Sequence, residues 1–309
     1  MKKSVKILAV LFTAVMALSM TGCVSISESY SNSDKYSAGN CEFKGLNVNS
    51  LDIHWSVGKV KVTRNDKDTV TVTESSESDL KDSEKVHTWL DEGVLRIHYC
   101  KSGETYFFKQ PEKDLEITVP AEMKLKDISM NGSSCDTLIE NIEAESISIE
   151  LSSGNSELVG CIAKTIDVEA SSGDITIGQK GKAESVSAEA SSGDITIEAE
   201  NADEISADTS SGEIEVTAEN AGSVDAEASS GSIDLRFIKM PAAVDAETSS
   251  GRITVYVPEN ADFTADVDTS SGDFDSDLSL SKDGSTYVCG NGSSKLDLET
   301  SSGNIRIKK

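Results

Sequence analysis

The chain reads as an all-β protein, a parallel β-helix or β-roll-like solenoid of roughly 19–20-residue rungs with N-terminal capping strands. Three observations carry that reading. Ser-Ser-Gly occurs eight times, ending at Gly154, Gly173, Gly193, Gly212, Gly231, Gly251, Gly272 and Gly303, with spacings of 19, 20, 19, 19, 20, 21 and 31 residues. Apolar and polar residues alternate on both sides of each copy, the period of a strand with one buried face. The repeat region shows no 3.6-residue period over a useful length.

Residues 1–22 are expected to be a signal peptide. Lys2, Lys3 and Lys6 form a basic start, and the apolar run from Ile7 to Met20 is short for a membrane span. Leu18-Ser19-Met20-Thr21-Gly22-Cys23 resembles the lipobox of bacterial lipoproteins. That resemblance implies cleavage before Cys23 and diacylation of its sulfur, and two or more acyl chains anchor stably where one is marginal. Residues 23–45, Ser- and Asn-rich without periodicity, are expected to form a flexible tether.

Residues 46–127 read as capping strands or degenerate rungs. Leu51-Asp52-Ile53-His54-Trp55 alternates, and Ser56-Val57-Gly58-Lys59-Val60-Lys61-Val62 imitates the repeat corner. Val70–Val72, Val94–Ile97 and Leu115–Val119 are further strands, and 74–85 is a charged loop. Nine of the fourteen aromatic residues after Cys23 precede Ile128, including Trp55, Trp89 and Tyr106-Phe107-Phe108. They serve either as a bulky plug on the first rung or as a ligand-contact patch.

Residues 128–309 hold the repeats. Before each corner the first inward column begins Ile147, Ile166, Val186, Ile205, Val224, Val244, and the next two columns are rich in Ala and Thr. After the corner come Ile175, Ile195, Ile214, Ile233, Ile253, Phe274 and Ile305. No rung buries its inward row alone; stacking like on like does, at about 5 Å per layer. Glycine suits the corner because it tolerates positive φ. An insertion at about 276–295 precedes the last Ser-Ser-Gly rung and is expected to project as a hairpin or to cap the open end.

Charge is the second strong feature. The net is −26, and from Ile128 onward 35 acidic residues face 11 basic ones. Such a chain repels nucleic acid and anionic surfaces and attracts cations or basic partners. One outward column holds a carboxylate in every repeat: Glu150, Glu169, Glu189, Asp208, Glu227, Glu247, Asp268 and Glu299. A neighbouring column adds Asp167, Asp225, Asp245, Asp266 and Asp297. Adjacent like charges repel by about 1 kcal/mol in water, so this ladder either splays into solvent or gathers cations, Ca²⁺ being the ion that suits oxygen ligands. No other cofactor is implied.

No catalytic, cofactor-binding or metal site emerges. His54, His87 and His98 lack metal-ligand spacing, and the chain has no HExxH, GxSxG or phosphate-binding glycine loop. The odd, wide spacing of Cys41, Cys100, Cys135, Cys161 and Cys289 argues against a disulfide framework, Cys135 and Cys161 being the nearest pair.

The SSGDITI-type repeats, the alternating strands before them and the tethered N-terminus together resemble the bacterial putative-adhesin family of β-strand-repeat proteins, over about Leu46 to Lys309. The resemblance implies a solenoid and no catalytic residues. The expected function is a non-catalytic, exported lipoprotein of the cell envelope or surface, an adhesin or structural binding module facing outside the cytoplasm. The alternatives are an envelope-stress or partner-binding module for cationic ligands and a carbohydrate-active β-helix enzyme.

Overall fold

The computed structural model describes residues 26–106 and 110–309. Cys23 and the signal segment therefore lie outside the described residues, as do Phe107 and Phe108. The rest is a nearly all-β solenoid with two strands per rung, one on each side of a Ser-Ser-Gly corner. Parallel pairing stacks the first strands into one sheet and the second strands into another. The strand Lys124–Glu140 runs straight through a corner, pairing with Glu143–Ser153 in its first half and with Ser156–Cys161 in its second.

The core lies between the two sheets. Ile147, Ile166, Val186, Ile205, Val224 and Val244 stand directly above one another, and all are buried. Ile175, Ile195, Ile214, Ile233 and Ile253 do the same on the other sheet. Each such side chain contributes about 1.5–3 kcal/mol by leaving water. The Ala positions narrow the interior toward the corner. There Thr209, Thr248, Thr269 and Thr300 donate their hydroxyls to Gly193, Gly231, Gly303 and Gly251 carbonyls, at 3.1–3.2 Å.

Glycine is required at the corner chiefly by the approach of the next rung. A Cβ on Gly173 would lie 2.0 Å from the Gly154 carbonyl oxygen, and one on Gly212 would lie 1.9 Å from that of Gly193. Gly154, Gly173 and Gly193 also have φ of +116° to +147°. A further corner lies at Ser133-Ser134-Cys135, where Cys135 stands in register between Gly58 and the Gly154 rung.

The rungs do not stack in sequence order. The last repeat, Ser294–Ser302 with Ile305–Lys308, is inserted between Ala243–Ser250/Ile253–Tyr256 and Phe263–Ser271/Phe274–Ser276. The rung around Gly272 is thus the outermost, although Gly303 follows it in the chain. The segment before the inserted rung folds as the hairpin Ser281–Asp283/Thr286–Cys289, whose second strand pairs antiparallel with Phe263–Ser271 and covers its free edge.

The opposite end is closed by a change of pairing. Ser50–Asn65 stacks under Lys124–Glu140, and beneath it lie Val94–His98 and Asp114–Pro120, both parallel to it. His87–Asp91 and Thr69–Ser75 then add antiparallel, followed by the short strands Ser37–Ala38 and Cys41–Lys44. Short antiparallel edges of this kind blunt further pairing. The segment expected to be a free tether is docked from Ile26 onward, with Ile26–Ser27 pairing on Thr105–Tyr106. Its backbone and aromatic groups find partners on the cap, so chain entropy is not what decides its state.

Where the first layer lacks a corner, Lys113 plugs the interior. Its fully buried ammonium lies 4.0 Å from the Tyr99 ring centre and 5.0 Å from that of Trp55. It donates to the Glu84 and Tyr99 carbonyls and pairs with the Glu74 carboxylate at 3.1 Å. Burial pulls the Lys113 pKa below the usual lysine range, and Glu74 opposes that pull.

Three outcomes are expected in thermal and urea unfolding. Gly212→Ala, where φ is not positive, should cost about 3 kcal/mol through the carbonyl contact alone. Gly284→Ala, at φ +62° in open space, should cost only about 1–2 kcal/mol. Lys113→Met should cost about 3–5 kcal/mol by stranding Glu74, and adding Glu74→Gln should recover part of it.

Candidate functional site

Stacking turns two sequence columns into two charged lines on the outer face of the first sheet. In spatial order the first runs Glu150, Glu169, Glu189, Asp208, Glu227, Glu247, Glu299, Asp268. The second places Asp225, Asp245, Asp297 and Asp266 in succession. Neighbouring strands stand about 4.8 Å apart, so like charges face each other on every rung, an arrangement that destabilises a sheet. Among the described residues no ion pair within 4.0 Å includes any of these carboxylates; the lysine pairs of the repeats, as Lys164–Glu145 and Lys182–Asp203, use other acids.

The cost is visible in the acid groups. Glu169, Glu189, Asp208, Asp225, Glu227 and Asp245 are all held above the usual carboxylate range. Burial between rungs is the main cause, and carboxylates of the same face add to it for every one except Asp208. The outer face of the second sheet differs: Arg236 lies 4.1 Å over the Tyr256 ring, Lys308 flanks the other side at 5.8 Å, and Arg252 reaches Asp234. That face mixes both signs, with Glu215 and Asp234 on adjacent rungs beside these cations, whereas the column face carries carboxylates alone in register.

Several residues that follow a corner, Asp or Asn in each case, share one task. The side chains of Asp136, Asn155, Asp174 and Asp194 accept the backbone N–H of Asn155, Asp174, Asp194 and Glu213 on the next rung, at 2.8–3.0 Å. These acceptors are occupied by the fold, so this series belongs to the corner rather than to a ligand. Among the described residues no group of three or more His, Cys, Asp or Glu side chains is placed to hold a metal ion.

At its N-terminal end the acidic face changes character. The first column continues through Asn131 to His54 and His98, and the second reaches Asp52 and Arg96. His98 is stacked between His54, at 4.6 Å, and Tyr30, at 3.7 Å between ring centres. Tyr30 belongs to the docked N-terminal segment; its hydroxyl donates to the Cys100 carbonyl at 2.9 Å, and Glu28 reaches His98 Nδ1 at 2.9 Å. Tyr36 packs edge-on against Trp89, over which Lys35 lies at 4.5 Å. Asp52 holds Arg96 at 2.6 Å and His54 at 3.1 Å. The histidines that look scattered in sequence thus occupy adjacent strands, His87 opposite His98 and His98 opposite His54. The cap aromatics divide: Trp55 and Tyr99 plug the core, while Trp89 and His98 receive Tyr36 and Tyr30 of the incoming segment.

Little here suits covalent chemistry. Burial pushes the Cys100 and Cys135 thiols up to about 12 and that of Cys161 up to about 11, which keeps them protonated and inert. All five described cysteines are free, Cys135 and Cys161 included. A cleft of about 750 Å³ beside the cap is lined by Ser76, Glu77, Asp79, Glu84 and Glu112, with no histidine, lysine or arginine among its lining residues.

Raised carboxylates cost stability while ionised, and the cost is relieved as pH falls through the raised values toward 4.5 or 3.8. The Asp52 hydrogen bond raises His54, whose contribution is complete below 6.5 and lost as pH rises through the raised value. Asp52, lowered by His54, keeps its contribution above 3.8 and loses it only as pH falls through the depressed value. His87, lowered by burial, opposes the trend below 6.5. The six carboxylates outnumber it, so Tm should rise from about pH 8 to about pH 5. Added NaCl should raise Tm more at the higher pH. Replacing Glu169, Glu189 and Glu227 by Gln and Asp208 by Asn should raise Tm at pH 8 and flatten the profile; a monotonic fall of Tm on acidification contradicts this account.

A family model described as Toastrack DUF4097 matches residues 48–308. Among solved structures, the chain is similar to a "putative lipid binding protein" from Parabacteroides distasonis, at 18% identity over 88% of this chain and 96% of that one, TM-score 0.46. It is also similar to a "putative adhesin" from Bacteroides fragilis, at 15% identity over 87% and 95%, TM-score 0.43. No curated protein matches the chain.

Proposed function

The chain belongs to the Toastrack DUF4097 family, and from that solenoid frame we propose an exported, lipid-anchored, non-catalytic envelope protein whose acidic face binds a cationic partner outside the cytoplasm. One observation carries the binding role: two in-register lines of carboxylates share one exposed face with no ion pair among the described residues. A surface that lowers stability and gains no internal partner is one whose counter-charge comes from elsewhere. The second sheet's arginines and lysine show that the repeat tolerates basic residues at outward positions.

The proposed anchor at Cys23 would fit the same geometry. Cys23 stands three residues before the docked strand Ile26–Ser27, so acylation there would tie the membrane to the capped first rungs. The clasp of Glu28, Tyr30 and Tyr36 would then orient the rod, leaving the acidic face along its side.

Two measurements test the proposal. Radiolabelled palmitate should enter the full chain in a bacterial host, and Cys23→Ser should abolish labelling and release the protein from the membrane fraction. The domain from residue 26 onward should bind a lysine-rich peptide with affinity falling steeply with salt. The fourfold ladder variant should weaken that binding at least tenfold, roughly 1.4 kcal/mol. Equal binding by variant and parent would move the partner site elsewhere.

A further inference from the structure

The last rung fills a slot between two rungs that precede it in the chain. Its walls are the rungs Ala243–Tyr256 and Phe263–Ser276, which are consecutive in the chain and joined only by residues 257–262. Their corner glycines are 21 residues apart, only one or two more than the 19 or 20 of the pairs that stack directly, yet a whole rung lies between them. When empty, the slot presents unpaired backbone edges on both sheets, each a template for strand addition.

The filler makes only repeat-type contacts. Leu296 and Leu298 continue the inward columns on one sheet, and Ile305 and Ile307 do so on the other. Thr300 donates to the Gly251 carbonyl, while the Gly303 carbonyl accepts from Thr269. Nothing in these contacts requires filler and slot to belong to one molecule. The connection, residues 277–293, carries Gly284, Gly290 and Gly292 and rests on the outermost strand as an exposed hairpin. Both walls also precede the filler during synthesis. At about 5–20 residues per second the slot waits on the order of a second for it.

We propose that this slot accepts the Ser294–Lys308 rung of a second copy, giving a reciprocally strand-exchanged dimer. Reciprocal exchange restores every pairing made in the monomer, so the cost lies in the hinge alone. The dimer would place two acidic faces in one particle and add avidity to the binding proposed above.

The test uses full-length chains. Asp245 and Asp297 are exposed and directly opposite across the slot wall. Chains carrying Asp245→Cys and chains carrying Asp297→Cys are mixed, unfolded in urea, refolded together and treated with a short bis-maleimide. Strand exchange yields a covalent species of twice the chain mass, with a peptide joining positions 245 and 297, several-fold above the wild-type background. Asp245→Cys/Asp297→Cys in one chain verifies that the linker spans the pair. If that double variant links internally while the mixture stays monomeric by light scattering at every concentration, the proposal is overturned.

Discussion

The close approach of successive corners governs this molecule. At every Ser-Ser-Gly the backbone of one rung lies so near the carbonyl of the next that a single added carbon would be about 2 Å from it. That contact pins each rung's register to its neighbour's. Pinned register stacks Ile over Ile and Val over Val, which builds the core. The same register sets Glu over Glu and Asp over Asp outside, and no strand can slip to relieve the repulsion without moving its apolar residues out of the core. The acidic face and the stable interior are two consequences of one geometric constraint.

A stack with this register has no natural end, and the two ends solve the problem differently. The N-terminal end turns antiparallel, shortens its strands and fills the missing corner with a lysine held by two aromatic rings and a buried carboxylate. The other end folds a hairpin back over its outermost strand. Each device breaks the repeat, and each draws on residues that have no counterpart in the rungs.

The repetitive part was legible because it announces itself many times over. Its inward columns, read from period-two alternation, are the buried columns of the structure. Cys135 hid a further corner, since a search for glycine passes over it. The series Asn155, Asp174, Asp194 carries little sequence signal because the residue type varies, although each accepts the same backbone hydrogen bond. The row His87, His98, His54 was invisible for a different reason: antiparallel and parallel pairings bring together positions that no sequence spacing connects. Docking of Glu28 and Tyr30 onto the cap likewise depends on surfaces 70 residues away.

What the sequence determined by itself was the rung: its length, its corner, its inward and outward columns, and the sign of the face it presents. Those properties follow from local period and composition, which act within one repeat. What only the tertiary structure decided was the order of the rungs, above all the placing of Gly303 between Gly251 and Gly272. Repeats this alike pair equally well in several orders, so no local rule can select among them. The choice falls to the connectors that must span the layers and to the caps that must cover whichever rung is left outermost.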